Sequence, residues 1–312
     1  MTNTYRSGES PPEDGMNSDG VAPKEFQPRT DPERADNAAR TFLDNRLAIL
    51  GLGFLIAIFV FSFVGPLLYP TNQTAPNLLD VNLPPGPGGP LGSDNNGFNI
   101  LGRLMYGGQV SLEISFAVAA CVTVLGAVYG AISGFFGKWV DSIMMRIVDI
   151  GLSIPVVFLF IFMSRIFTPT KFLLILLLTL TVWFVPARLI RAETLSLRTR
   201  EYVTAAKSMG GRPRRIIFRH IIPNTIGTIV VNATFQVADA IIILATLEFL
   251  GFSLPPPTAT WGGMLSDGSQ FLQDGYWWEV YPALILIVLT VVSINFVGDG
   301  LRDAFDVRLQ RR

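Results

Sequence analysis

Long apolar runs constrain this chain more than any other feature of its sequence. Residues 47–69 contain no charged side chain, and a helix of that length, rising about 1.5 Å per residue, can cross about 30 Å of hydrocarbon. A bilayer offers backbone amides no water to bond, so such a run is expected to be helical. Five further runs follow, at 111–136, 147–166, 172–189, 222–247 and 280–298. The sequence therefore predicts an all-α integral membrane protein with six transmembrane helices.

The composition agrees with a bilayer environment and excludes several soluble functions. Half of the residues are hydrophobic and 15% are charged, whereas about a quarter of the residues in a soluble domain are charged. The formal net charge is +0, so no overall positive field attracts nucleic acid. His220 is the only histidine and lacks the partners of a metal-binding motif. We expect no metal site, no catalytic residues and no cofactor bound by this chain.

The other segments divide the chain into parts around these runs. Residues 1–40 are rich in Pro, Gly, Asp, Asn and Ser and lack apolar periodicity, which predicts a disordered tail. The first run follows that tail and ends without a small-residue cleavage motif, so we expect a membrane span there and not a cleaved signal peptide. The predicted parts are a tail 1–40, a first transmembrane helix 41–70, an extracytoplasmic segment 71–110, a core domain 111–308 with five transmembrane helices, and a C-terminus 309–312.

The distribution of Lys and Arg predicts the orientation. Residues 188–219 contain nine Lys or Arg, whereas the loop 248–279 contains none. Positively charged loops stay in the cytoplasm. The segment 198–221 is therefore predicted to be cytoplasmic and the loop 248–279 to be external. Six spans then place both termini in the cytoplasm, in a multi-pass protein of the plasma or inner membrane.

The basic segment 201–224, with the sequence EYVTAAKSMGGRPRRIIFRHIIPN, predicts a helix, a turn and a second helix. Tyr202, Ala205, Ala206 and Met209 recur at the spacing of one helix face. Gly210-Gly211 favours a helix end, and Pro213 suits the first turn of the next helix. Two interpretations follow: the small residues and arginines dock on another protein, or the basic helix rests on anionic lipid.

This segment resembles the cytoplasmic coupling segment of permease subunits of ATP-binding-cassette (ABC) importers. In that family the coupling segment has the pattern Glu-Ala-Ala, then any three residues, then Gly, followed further downstream by a hydrophobic residue and Pro. Four further stretches resemble the C-type subunit of dipeptide, oligopeptide and nickel permeases, in the family's order from about residue 40 to 308: PLGSDNNGFNILGRLMYGGQVSL, VDIGLSIP, LEFLGFSLPPPTATWGGML and GDGLRDAFDVR. The resemblance implies a type I ABC importer permease fold with cytoplasmic coupling helices.

The chain departs from the family pattern at two places. Thr204 stands where the family's triplet usually opens with Glu, and Glu201 lies one helical turn earlier on the same side. Residues 97–99 are Gly-Phe-Asn where the family commonly shows Gly-Arg-Asp. The first change affects a charged contact with the ATPase, and the second affects a local ion pair.

The resemblance also implies partners and site residues. Such a permease pairs with a homologous second permease, two cytoplasmic ATPase subunits that hold ATP and Mg, and an external substrate-binding protein. This chain has no phosphate-binding loop of its own, since Gly137-Lys138 is followed by Trp139. The residues implied to couple it to the ATPase are Glu201, Tyr202, Thr204, Ala205, Ala206, Met209, Gly210, Arg214, Arg215 and Pro223. We expect short peptides as substrate, with nickel chelates or another small solute as the alternative.

Two groups of residues inside the spans carry further predictions. Asn232, Gln236 and Asp239 share one face of the fifth span, where they either line the substrate pathway or hydrogen-bond between helices. Gly126, Gly130 and Gly134 have the four-residue spacing that lets helices pack closely.

Two other classes of membrane protein fit the sequence less well. A secondary transporter needs paired repeats, and none is evident. An intramembrane enzyme needs a nucleophile with a base, or metal ligands, at membrane depth, and His220 lies elsewhere.

Overall fold

The computed structural model describes residues 39–87 and 89–310. The predicted disordered tail therefore lies outside the described residues, except for 39–40, which are helical, and 311–312 of the predicted C-terminus lie outside them too. Within the described ranges the chain is helical, and β-type pairing is limited to the isolated bridges Gly86–Gly89 and Ser93–Asn99.

Twelve α-helices are numbered here in chain order, after a short helical stretch at 39–44. They are α1 Arg46–Phe63, α2 Gly65–Leu68, α3 Ile100–Phe136, α4 Lys138–Ser153, α5 Val156–Ile166, α6 Lys171–Val182, α7 Phe184–Leu197, α8 Glu201–Ser208, α9 Pro213–Ile216, α10 Ile226–Phe249, α11 Trp261–Ser269 and α12 Tyr281–Gln310. A π-helix, Ile217–Ile221, and a 3-10 turn, Ile222–Asn224, connect α9 to α10. Two more 3-10 turns, Leu272–Asp274 and Trp277–Glu279, precede α12.

Four described helices are long and apolar enough to span a membrane, namely α1, α3, α10 and the stretch Trp277–Phe305 that contains most of α12. Two bent pairs reach the same length. The pair of α4 and Val156–Met163 bends by 70°, and the pair of α6 and α7 bends by 44°. The described chain thus has up to six spans if each bent pair is one span.

The first of these bends has a local cause in the sequence. Pro155 separates α4 from α5, because a proline has no N–H to continue the helix and disfavours a helical residue before it. Ile154 accordingly has an extended backbone, with ψ of 118°. The second bend lies at Trp183, and Pro186 falls in the first turn of α7, where a missing N–H costs least.

Helix α3 is the central element of the bundle. It begins at Ile100, ahead of the predicted span 111–136, because the Asn99 side chain accepts a hydrogen bond from the Gly102 backbone N–H at 3.1 Å. Its 37 residues correspond to about 55 Å, longer than the hydrocarbon core of a bilayer.

The glycine stripe of α3 packs directly against α7. A Cβ atom on Gly126 would lie 2.7 Å from Cβ of Pro186, and one on Gly134 would lie 2.7 Å from Cβ of Thr194. At Gly130 the added atom would meet the backbone of α7, 2.9 Å from the Arg191 nitrogen. Backbone cannot move aside as a flexible side chain can, so this approach requires glycine.

Two regions lie at opposite ends of α3. The cap, residues 71–87, 89–99 and 250–280, packs around its start, where Trp261 donates a hydrogen bond from Nε1 to the Leu104 carbonyl at 3.0 Å. The arm, residues 201–224, lies at its end, where Lys207 Nζ is 4.7 Å from the centre of the Phe135 ring.

Candidate functional site

Helix α8, the first part of the arm, presents two unlike faces. Val203 is completely buried and packs in a cluster with Phe135, Ile190 and Ile216, and Ala206 lies half-buried against the same cluster. Tyr202, Ala205 and Met209 are exposed, Met209 to 82%. The predicted apolar face of α8 therefore divides, with Ala206 facing this chain's own core and the other three facing outward.

Sequence reasoning missed Val203, the residue that anchors α8. In a helix of eight residues, two apolar faces can be drawn through the same segment, and local spacing does not choose between them. The choice is made by Phe135 and Ile216, which approach from elsewhere in the chain.

The end of α8 is fixed by its glycines. Gly210 has a φ of +75°, in the left-handed region that glycine adopts readily. Its N–H bonds to the Lys207 carbonyl at 3.0 Å, and the Gly211 N–H bonds to the Ala206 carbonyl at 3.0 Å. This pair of bonds is the Schellman pattern of a helix end, and it sets the direction in which the chain continues into α9.

Helix α8 is linked to the bundle by polar contacts as well as by Val203. Arg198, just before α8, donates from Nη1 to the Gly134 carbonyl at 3.1 Å. Within α7, Arg191 donates to both carboxylate oxygens of Asp141, each at 2.5 Å, and Ser133 donates to the same carboxylate at 2.5 Å. Arg188 pairs with Asp149. These contacts join Arg198, just before α8, to α3, and they join α7 to α3 and α4.

Thr204, which stands where the family usually has Glu, and Glu201, one helical turn earlier, are both exposed. The Thr204 hydroxyl donates to the Arg200 carbonyl at 3.2 Å, within its own helix turn. Glu201 occupies the first turn of α8, where its negative charge is favoured by the helix dipole. Both side chains lie on the accessible surface of the arm.

The second part of the arm forms a separate, shallow and open groove beyond the Gly210 turn. Arg214, Arg215 and Pro223, which we grouped with α8 from the sequence, lie there, and the groove has a volume of about 660 Å³. Its lining residues are Arg212, Arg214, Arg215, Phe218, Arg219 and Pro223.

The polar residues of α10 have three different environments. Gln236 is 4% exposed, and its Oε1 has no hydrogen-bond donor among the described residues. Asn232 is half-buried, whereas Asp239 is exposed on the surface of the chain. Gln236 is thus the one residue of the three that is buried within this chain's own bundle.

The cap and the first turn of α3 contain charged residues whose burial the sequence did not indicate. Arg103 is 6% exposed, and its Nε lies 3.2 Å from Oδ2 of Asp94. Its Nη1 donates to the Pro257 carbonyl at 2.8 Å, and its guanidinium lies 4.3 Å from the centre of the Phe98 ring. Phe98, one of the departures from the family pattern, therefore supports an arginine by a cation–π contact.

Two carboxylates, one at the end of α10 and one in the cap, are also buried. Glu248 is 0% and Glu279 is 3% exposed. Gly262, at the start of α11, allows the approach of Glu248, since a Cβ there would lie 2.5 Å from its Oε2. The motif LEFLG had singled out this region, but nothing in it distinguishes Glu248 from a surface carboxylate. Among the residues that the structure describes, no three His, Cys, Asp or Glu are arranged to hold a metal ion.

The fold defines a class of membrane protein. Two inward-facing crystal forms of the MetNI methionine ABC transporter match it with TM-scores of 0.51 and 0.53 at 22% identity. They cover 64% and 65% of this chain and 94% and 96% of the matched chains. The all-helical, type I ABC importer permease fold predicted from the sequence is therefore confirmed.

The sequence comparisons give the family. The model for the binding-protein-dependent transport system inner membrane component matches residues 102–311, and the model for the N-terminal TM domain of oligopeptide transport permease C matches residues 35–85. The chain belongs to the binding-protein-dependent transport system inner membrane component family and is a multi-pass membrane protein. The family resemblance found in the sequence is confirmed.

Several curated relatives are similar over most of the chain. The dipeptide transport system permease protein DppC of Bacillus subtilis is 36% identical over 88% of this chain and 86% of its own length. The oligopeptide transport system permease protein OppC of the same organism is 36% identical over 88% and 90%. A putative peptide permease protein of Brucella ovis is 38% identical over 88% and 91%.

Proposed function

We propose that this chain is the permease subunit of an ABC importer for short peptides, and that it forms half of the translocation pathway. The observation that carries the proposal is α8, whose outward face is exposed while Val203 and Arg198 fasten it to the bundle. The peptide substrate is supported by relatives named as dipeptide, oligopeptide and peptide permeases. A homologous second permease would supply the other half, and an external binding protein would deliver the peptide.

In this proposal, ATP chemistry takes place on two separate ATPase subunits that bind ATP and Mg. Tyr202, Ala205 and Met209 form the face that would enter a cleft of one ATPase subunit, with Glu201 and Thr204 at its edge. Closure of the ATPases displaces α8, and the contacts to α3 and α7 carry the displacement into the spans. Such an element has two positions, and nucleotide shifts the population between them.

The decisive test places a bulky side chain on the outward face of α8. Ala205→Trp should abolish most peptide-stimulated ATP hydrolysis and uptake by the reconstituted complex, because the indole occupies space that the ATPase needs. Insertion and pairing with the second permease should be unchanged, since Ala205 is exposed. Ala39→Trp, also at an exposed alanine, is the matched control and should couple normally. Full stimulation in Ala205→Trp would show that α8 does not dock.

The orientation is part of the same proposal, with both termini and the arm in the cytoplasm and the cap outside. Single cysteines at Ser208 and Gln270, both exposed, report on the two ends. In a Cys121→Ser background, an impermeant maleimide applied to intact cells should label Gln270→Cys and not Ser208→Cys. The opposite labelling pattern would invert the topology.

We assign Asp239 and Asn232 to the pathway side of α10, facing the second permease, because Asp239 is exposed on this chain. Asp239→Asn should change the peptide uptake of each assembled complex, while Gln236→Leu, at a buried position, should act mainly on stability. If Asp239→Asn impaired assembly and left uptake per complex unchanged, the residue would be a packing contact between helices.

A further inference from the structure

The groove of the arm concentrates positive charge that the chain does not neutralise. Four of its lining residues are arginines, all of them exposed, and none of its lining residues is acidic. Elsewhere in the described residues, Arg103, Arg188 and Arg191 each lie within 4.0 Å of a carboxylate, but no salt bridge of the described residues includes Arg212, Arg214, Arg215 or Arg219. Like charges one helical turn apart repel, so a bound anion would stabilise this arrangement.

The backbone gathers these side chains into one site. Arg212 is the N-cap residue of α9, Arg214 and Arg215 lie in α9, and Phe218 and Arg219 follow in the next turns of the chain. The stretch Ile217–Ile221 is a π-helix, and single-turn π segments are frequent at functional sites. The groove is therefore built by the local winding of the helix and not by a mobile loop.

The position of the groove along the chain indicates how close its ligand lies to the membrane surface. Pro223, at one end of the lining, precedes the first residue of the spanning helix α10, Ile226, by only three positions. Two large apolar side chains are exposed beside it, Phe218 to 50% and Ile226 to 47%. Cations thus lie next to exposed apolar side chains at the start of a helix that is long and apolar enough to span a membrane.

We propose that this groove binds the headgroup of an anionic phospholipid. The guanidinium groups of Arg212, Arg215 and Arg219 donate to the phosphate oxygens, a geometry that arginine fits well, and Phe218 packs against the glycerol and the first methylenes. A lipid accounts for the exposed apolar surface as well as the charge, whereas an acidic protein surface accounts only for the charge. Basic pockets at the membrane edge of spanning helices are known to select such headgroups.

This proposal concerns a different ligand from the transported peptide, and its test uses neither peptide nor ATP. The purified permease pair is titrated with phosphatidylglycerol or phosphatidylcholine, and retained lipid is counted by native mass spectrometry. The double variant Arg215→Gln/Arg219→Gln should bind phosphatidylglycerol about thirtyfold more weakly, since each cation near an anionic lipid contributes roughly a factor of five. Binding of phosphatidylcholine should not change.

The control removes two cations elsewhere. Lys138→Gln/Arg146→Gln changes exposed residues of α4 and should retain phosphatidylglycerol like the wild type. If the groove variant failed to assemble, a salt titration of the wild-type protein would be used instead of the variant. Phosphatidylglycerol should then dissociate at NaCl concentrations that leave phosphatidylcholine bound.

Two results would overturn the proposal. Equal retention of phosphatidylglycerol by the groove variant and the wild type would show that these arginines do not hold lipid. Equal retention combined with loss of ATPase binding would assign the groove to the ATPase.

Discussion

The cap and the arm satisfy their polar groups in opposite ways. In the cap, Asp94 pairs with Arg103 of α3, and Trp278 donates from Nε1 to the Ser93 carbonyl at 3.2 Å. In the arm, the four arginines of the groove have no carboxylate partner among the described residues, and Met209 is 82% exposed. Both regions are rich in polar residues and both adjoin the ends of α3.

This difference indicates how each region acquires its structure and role. Buried polar groups must be paired, because an unpaired buried group loses its hydrogen bonds to water. The cap meets that requirement within the chain at Arg103 and Trp278. One buried side-chain oxygen each of Gln73, Asn82 and Glu279 has no hydrogen-bond partner among the described residues. The arm leaves its groups exposed, which is what we expect of a surface completed by an ATPase and by lipid.

The largest effect that would separate the two regions is expected for Trp261. Its ring is 1% exposed, and its backbone N–H also bonds to the Ser111 hydroxyl at 3.1 Å. Trp261→Ala should lower the free energy of unfolding by about 3–5 kcal/mol, as is typical of a large buried aromatic residue. Trp277→Ala, at a position 48% exposed, is the control and should change it much less. Equal losses, measured by thermal unfolding in detergent, would mean that the cap is not packed as described.

Next in size is the contrast between a paired and an unpaired arginine. Arg103→Gln should cost about 1.5–3 kcal/mol, because it removes hydrogen bonds to a charged group and leaves Asp94 without its cation. Arg215→Gln in the groove should change stability by less than about 0.5 kcal/mol, as exposed substitutions usually do. The comparison fails if both variants shift the unfolding temperature equally.

The seam between α3 and α7 joins the two regions and should show an effect of similar or smaller size. Gly130→Ala places a methyl group against the backbone of α7, and such overpacking costs about 1–3 kcal/mol. Gly53→Ala, where an added Cβ meets nothing within 4 Å, should be neutral or slightly stabilising. Expression level and unfolding temperature of the two alanine variants give the comparison directly.

Features that depend on residues close together in the chain could be predicted from the sequence, whereas contacts between residues far apart in the chain could not. Apolar runs and the Gly210 turn are local, and the resemblance to permeases rests on local motifs as well. Arg103 bonds to Pro257, a residue 154 positions away, and no local pattern carries that pairing. Val203 is anchored by Phe135 for the same reason. The bend at Trp183 also depends on packing, because no proline occupies the break itself.

The smallest effect expected is a pH dependence of the cap. Asp267 in α11 is exposed, yet partial burial of its carboxyl raises its pKa; Arg103 opposes that rise and Asp94 adds to it. A carboxyl whose pKa is raised by folding binds its proton more tightly in the folded state. Its ionisation therefore lowers stability as the pH rises from the ordinary aspartate range, near pH 4, through the raised value.

Asp267→Asn removes that ionisation. The variant and the wild type should unfold at similar temperatures below the ordinary aspartate range, and the variant should become the more stable of the two as the pH rises to neutrality. Asp274→Asn, at an exposed carboxylate in the same region, is the control. Its unfolding temperature relative to the wild type should change less between acid and neutral pH than that of Asp267→Asn. A wild type that gained stability over Asp267→Asn on going from acid to neutral pH would reverse the sign. It would then follow that the attraction of Arg103 outweighs burial, and that the cap stabilises the charged form of this carboxyl after all.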